Sequence, residues 1–356
     1  MPPTRRITEV GFVATLDKSI MMEPRALRDS SVLPEVIEYA NDCHLYIIAH
    51  RPMTVVDPES LRIDGNLMTA RFINRVDSEE SVVECTWTQP HVKGGVKIET
   101  TWPHNVLRIF DASGKRIARG NASLFLSYAM ANAESDSERL HVDTEFLDLA
   151  VDYVGKAYGA DGKRGAFTRL QSHSTLQRIL VELSRDMEAW LIMLDSTKYT
   201  VYSTIVPSGS PRDEQDLEDD EHIERTLGSE LDYGVVVDLV EGCLVKYFQP
   251  PYNVQLKESF PKSTAKPLAE LYARDLNSIG FELDIRHLGV RLRSADEEGV
   301  ICVGPSFEHG AVYRLHDLES RKDMFDFVDD IDALAARRES RYGNFGRTAD
   351  PEAQRY

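Results

Sequence analysis

Up to about residue 130 the apolar positions fall in short runs rich in β-branched and aromatic residues: ITEVGFVATL, CHLYIIAHR, SVVECTWTQ, VKIETTW and NVLRIF. Turn signals such as IDGN, KGG and DASGK separate them, so the runs predict strands. LPEVIEYA is the one predicted helix, and the segment 1–138 reads as a β-sandwich or barrel-like domain. The polar stretch ANAESDSER has no apolar periodicity and marks the expected boundary. Beyond it the pattern turns mixed. LHVDTEFLDL and AVDYVGKAYG predict two strands, residues 166–185 a helix, EAWLIMLDS and YTVYSTIV two more strands, and HIERTLGSELDYGVVVDLVEGCLVKYF a long helical region. GFELDI and VICVGPSF read as late strands, and 319–356 as a C-terminal helix and tail. The expected class is α+β, with a second, mixed α/β domain over 139–318 built on a small central sheet.

Two predicted helices carry polar residues where their spacing calls for apolar ones. Val237, Val240, Leu244, Val245 and Phe248 recur at three- and four-residue steps, and Glu241 falls inside that stripe. A carboxylate on a buried face costs several kcal/mol unless a cation or hydrogen bonds compensate. In the helix at 166–185, the stripe of Leu176, Leu180 and Leu183 runs back onto His173 and Arg169, one turn apart. Just upstream, Tyr153 is expected to share a strand face with Val151 and Gly155, and that glycine allows a close approach to the backbone.

Composition narrows the function classes. The charge of -18 argues against non-specific nucleic-acid binding by the whole surface and leaves room for a local basic groove. Much of that charge sits in an acidic insertion near 208–224, read as a solvated loop. The four cysteines are scattered, without a CxxC pair, and are expected to be reduced and structural. MPPTRRITEV has no apolar core of a signal peptide, so a cytoplasmic protein is expected. His44, His50, His91 and His104 are spread over different elements and are read as structural or surface residues. No GxSxG elbow, HExxH pair or GxGxxG fingerprint is present.

The order of the polar residues is distinctive: Tyr153-Val154-Gly155, a Gly-rich loop, Arg-x-x-x-His, a distant helical Glu, then the Asn of PPYN. In this the chain resembles the GIY-YIG nuclease superfamily. Tyr153 to Gly155 looks like the YIG half of the name motif; Arg169, His173, Glu241 and Asn253 match the family's later residues. The strand before Tyr153 reads LHVDTEFL, without Gly-Ile-Tyr, and His141 and Tyr158 are the neighbours considered as stand-ins.

The resemblance implies a Mg²⁺-dependent endonuclease (Mn²⁺ an alternative ion) that hydrolyses DNA, double-stranded DNA in the first place. Glu241 would bind the metal, Arg169 would hold the scissile phosphate, and Tyr153 with His173 would orient or deprotonate water. Asn253 would fix the site's geometry, and Lys156 is the candidate to favour a Tyr153 phenolate, whose ordinary pKa near ~10 makes it a poor base. Lys163, Arg164, Lys257 and Lys262 would touch the nucleic-acid backbone. The β domain would supply target or partner recognition, as in a regulated restriction or phage-defence nuclease; a separate reading is an interaction protein in which the β domain assembles homo-oligomers and the acidic loop gates the site. The alternative is a catalytically degenerate member that binds nucleic acid or protein.

Overall fold

The computed structural model describes residues 8–65, 67–76, 79–88, 96–131, 148–158, 164–205, 221–224, 226, 231–254, 256–257, 260, 266–293 and 308–315. The fold is α+β, with more strand than helix and several sheets. The early strands are β1 (Thr8–Leu16), β2 (Ser19–Met22) and β3 (Leu45–Pro52), with helix α1 (Pro34–Asp42) before β3. Then come β4 (Thr54–Val56), β5 (Arg62–Asp64), β6 (Leu67–Val76), β7 (Glu79–Thr88), β8 (Lys97–Thr100), β9 (Val106–Phe110), β10 (Arg116–Asn121) and α2 (Ala122–Ala131). The second half supplies β11 (Asp148–Lys156), α3 (Ala166–Leu170), α4 (Ser174–Glu182), β12 (Met187–Leu194), β13 (Lys198–Ile205), α5 (Tyr233–Phe248) and α6 (Lys266–Ala273). It ends on β14 (Ser278–Asp284), β15 (Arg291–Arg293) and β16 (Glu308–Arg314).

A five-stranded sheet in the order β15-β11-β3-β12-β2 occupies the centre, with β3 antiparallel to both its neighbours. β3 is buried along most of its length, as a central strand covered on both faces should be. One face, through Leu45, Ile47, Ala49, Trp190 and Ile192, packs on α5 and on a second sheet, β13-β1-β14-β16. The other, through Tyr46, Ile48, Leu191 and Met193, packs on α1, α3 and α4. Lying in the first core, α5 is buried nearly all round. Asp232 caps it by accepting from the Gly234 and Val235 amides, and Gln249 ends it in the left-handed region before Pro250.

These sheets cross the boundary expected at residue 138: β1 pairs with β13 and β14, and β3 with β11 and β12. What forms a β unit of its own is the stretch from β4 to α2. Its core of Val56, Met68, Phe72, Trp87, Leu107, Ile109 and Leu126 is separate from the other two. The expected boundary stretch itself, the late strand VICVGPSF, the tail from 319 and most of the acidic insertion lie outside the described residues.

Three local expectations change. The helix expected over 166–185 is two helices. After Leu170 the chain tightens into three-residue bonds, and the His173 ring restarts the helix by accepting from the Leu176 amide at 3.1 Å. α2 was not foreseen, because ASLFLSYAMA is apolar all round and shows no period. In β11 the register slips between Val151 and Tyr153, a bulge at Asp152 that puts the two on opposite faces. Among the described residues no helix is long and apolar enough to cross a membrane, and Cys43, Cys85 and Cys243 are buried free thiols.

Candidate active site

The bulge turns Tyr153 toward the α1–α3–α4 side of the central sheet. There it meets a tyrosine that the sequence reading passed over. Tyr46 of β3 is the register partner of Gly155 and so stands diagonal to Tyr153. The two rings lie 6.2 Å apart at a 30° tilt. Gly155 is what permits this, since a Cβ there would come within 2.6 Å of both Tyr46 Oη and the Tyr153 ring.

Tyr46 is 1% exposed. The Arg169 guanidinium lies near enough to its hydroxyl, and that hydroxyl to Tyr153, for each to act on the neighbour's titration. Burial holds the Tyr46 phenol far above its usual range, with Arg169 opposing. The Tyr153 phenol is also raised, first by burial and then by the Glu241 carboxylate, against the pull of Arg169, Tyr46 and Lys156. Both are therefore neutral hydroxyls near pH 7.

Arg169 and His173 sit on neighbouring helices, not on one face of a single helix. Gly165 lets α3 start against α1, where its Cβ position falls 2.0 Å from the Asn41 carbonyl, and Asn41 accepts from the Thr168 amide at 3.1 Å. His173 packs its ring on Tyr46 at 5.5 Å and Tyr153 at 5.2 Å. Burial, then Arg169 and Arg164, push its pKa down to about 4. With Nδ1 accepting from Leu176, the proton sits on Nε2. The ring is a neutral donor, so of the two roles expected for it, orienting water fits and accepting a proton does not.

Glu241 reaches the same place from α5 and answers the question its stripe raised. Lys156 Nζ lies 3.0 Å from its Oε2 and 2.8 Å from Asp238 Oδ1. Burial still raises the Glu241 carboxyl, Lys156 opposing and Asp238 adding to the rise. Lys156 is itself raised, because the two carboxylates outweigh its burial. Its ammonium is thus engaged with carboxylates, and its pull on Tyr153 is the weakest of those acting there. Asp238, one turn before Glu241 on α5, was not singled out in the sequence.

Asn253 stands behind the site. Its side chain accepts from the Val154 amide at 2.9 Å and donates to the Val154 carbonyl at 2.8 Å, acting as a short surrogate strand along β11. It fixes the strand that carries Tyr153 and Lys156. Tyr158 is elsewhere, edge-on to His44 and Tyr233, so it does not stand in for the missing tyrosine. Arg164 is exposed beside Ser172. Lys257 is half-buried past Asn253, and no described contact joins it to the cluster. Lys163, Lys262 and His141 lie outside the described residues.

Among the described residues no three His, Cys, Asp or Glu side chains gather as a metal cage. The carboxylates that do gather, Glu241 and Asp238, share the single ammonium of Lys156. Compared with known proteins, the chain matches no family model, no curated protein and no solved structure.

Proposed function

We propose that the chain is a metal-dependent phosphodiesterase that cuts nucleic acid through a GIY-YIG-like site, divided by an inserted β unit. The observation that carries this reading is the Tyr46–Tyr153 pair on adjacent strands, with Arg169 and Glu241 close enough to act on it electrostatically. In the resembled family the first tyrosine precedes the second in one hairpin. Here the strand that supplies it is β3, and residues 54–131 intervene between it and β11. The expected stand-ins, His141 and Tyr158, are set aside in its favour.

Arg169 offers a planar fork to a phosphate beside the two phenols. Tyr153 and the His173 Nε2–H orient the attacking water. Glu241, with Asp238 beside it, would hold a divalent cation such as Mg²⁺, which would supply positive charge for the leaving oxygen and offset the carboxylate field that raises the Tyr153 phenol. Lys156 keeps the two carboxylates together until substrate arrives.

The decisive experiment is relaxation of supercoiled DNA in Mg²⁺, with EDTA as control, for the wild type, Glu241→Gln and Tyr46→Phe. Glu241→Gln should lose about 10³-fold or more and Tyr46→Phe about 10²-fold, both staying folded. Unchanged cleavage in either removes the reading. The ammonium between the carboxylates favours a second reading, a fold that binds nucleic acid without cutting it. Under it, no divalent ion yields turnover.

A further inference from the structure

The inserted unit carries a face whose charge runs against that of the whole chain. In β9, Leu107 and Ile109 point into the unit's core, so Arg108 between them is on the outer face. Its register partner on β10 is Arg119, with the exposed Arg116 further along that strand. Like charges directly opposite on neighbouring strands are destabilising. Glu99, opposite Arg108 on its other side, bonds to Lys97 at 2.6 Å instead.

The turn Pro24–Arg28 extends this file. Arg25 pairs with Glu23 and donates to Asn121 Oδ1 at the end of β10, at 3.2 Å, and Arg28, three residues on in the same turn, is exposed. Burial lowers the pKa of Arg119, and Arg25, Arg108 and Arg116 lie close enough to add to that effect, with Glu23 opposing. Arg28, Arg108, Arg116 and Arg119 make no ion pair among the described residues. On β6 the opposite holds, since Arg71 is bound to Asp57 and Arg75 to Glu80.

In a chain with 59 acidic and 41 basic residues, pairing with a carboxylate is the default; five arginines that meet only Glu23, paired to Arg25, and the nearby Asp29 leave a surplus of positive charge that calls for an anion from outside. The file also leads to the candidate site. Gln171, two residues past Arg169, donates to the Leu27 carbonyl at 2.9 Å, between Arg28 and the α3–α4 turn. At its other end Arg108 donates to Thr101 at 3.2 Å, next to Trp102, which is 86% exposed.

We propose that Arg25, Arg28, Arg108, Arg116 and Arg119 form a docking surface for the phosphate backbone of double-stranded nucleic acid, which they lead toward the Tyr46–Tyr153 site. The partner rests on the nuclease reading; the surface does not. Arginines that meet only phosphates do not read sequence, so they give a steep salt dependence and little selectivity.

The test is fluorescence anisotropy of a labelled duplex of about 30 base pairs against full-length protein across a salt series, all in EDTA. The double variant Arg108→Gln/Arg119→Gln should bind about tenfold or more weakly and lose about 2 units of salt slope, one per phosphate contact. Arg71→Gln/Arg75→Gln should bind as the wild type does. Arg119 is exposed, Arg108 half-buried, and the two face each other with like charge, so thermal unfolding of the first double variant should be unchanged or higher. Duplex should also quench Trp102 emission, a signal absent in Trp102→Phe.

A wild type that binds no duplex, or a double variant with unaltered affinity and slope, overturns the proposal. So does arginine-dependent binding of polyglutamate in preference to duplex, which would assign the surface to an acidic protein. Cleavage with unchanged binding in the double variant sinks the docking surface and leaves the nuclease. Arginine-dependent binding without cleavage in Mg²⁺ does the reverse.

Discussion

Two buried ion clusters of this protein use similar groups to opposite ends. Arg51 of β3, 1% exposed, meets Glu188 of β12 at 2.9 Å. Glu188 also accepts from Trp190 Nε1 at 3.1 Å and Asn121 at 3.5 Å, while the guanidinium stacks 5.1 Å over the Trp190 ring and approaches Ser127 of α2. One cation meets one anion, neighbours satisfy the remaining lone pairs, and the inserted unit is fastened to the central sheet. Around Lys156 one ammonium serves two carboxylates, and Lys156 and Asp238 each keep about a third of their side chain in solvent (36% and 35%). A sealed, balanced pair holds geometry; an open pair with surplus negative charge can exchange its cation.

Breaking the sealed pair should have the largest effect on stability. Arg51→Ala leaves Glu188 buried without its cation and should cost about 3–5 kcal/mol in urea unfolding. An Arg51→Met/Glu188→Leu variant should recover most of it, because apolar residues of similar volume replace a balanced pair well. If Arg51→Ala costs under about 1 kcal/mol, the pair is not what fastens the inserted unit.

A third kind of buried polar group is one that refuses charge altogether. His309 bonds to Tyr247 Oη at 3.1 Å among aromatic rings, and burial takes its pKa down to about 4. Above the unfolded value near 6.5 both states are neutral and the shift contributes nothing. As pH falls from 6.5 toward 4 the unfolded chain takes up the proton while the folded chain does not, so stability drops through that window and levels off below it. The loss should approach about 3 kcal/mol at pH 4, and His173 adds a similar slope. Urea midpoints for the wild type and His309→Gln at neutral and acid pH measure it, and the variant should show the shallower decline.

The parts of the site that could be read from the sequence are those whose oddity is local. Glu241 stands in an apolar stripe, and the structure buries it on α5. The YVG strand and the Asn253 turn also lie where spacing placed them. Tyr46 was invisible for a different reason. CHLYIIAHR reads correctly as a strand, but a rule of short hairpin spacing cannot see across an inserted unit, and only the pairing of Tyr46 with Gly155 joins them. The domain boundary failed likewise, since apolar runs show that β1 and β3 are strands and say nothing about their partners. The helix break after Leu170 was written in QSHST, a cluster of cap-forming residues overruled by the apolar period around it.

The tyrosine pair depends on sterics where the two ion clusters depend on charge. Gly155→Ala should therefore cost about 1–3 kcal/mol in urea unfolding, since the new Cβ has no room beside Tyr46 Oη and the Tyr153 ring. Its effect on activity should exceed its effect on stability, because the side chains that must move carry the site. A variant as stable as the wild type would show that β11 and β3 adjust freely there.

The smallest effect tests the open cluster directly. Lys156→Met removes an ammonium that is partly in water, and the stability change at neutral pH should stay below about 1 kcal/mol, far less than for Arg51→Ala. What should change is the response to metal. With the ammonium gone, Glu241 and Asp238 repel across one turn of α5, and a divalent cation that binds only the folded state restores stability as its concentration rises past its dissociation constant. Thermal unfolding in a Mg²⁺ series should then rise further for Lys156→Met than for the wild type, and not at all for Lys156→Met/Glu241→Gln. Equal responses in all three would mean that Lys156 is a structural partner like Arg51, and that the contrast between the two clusters is one of exposure alone.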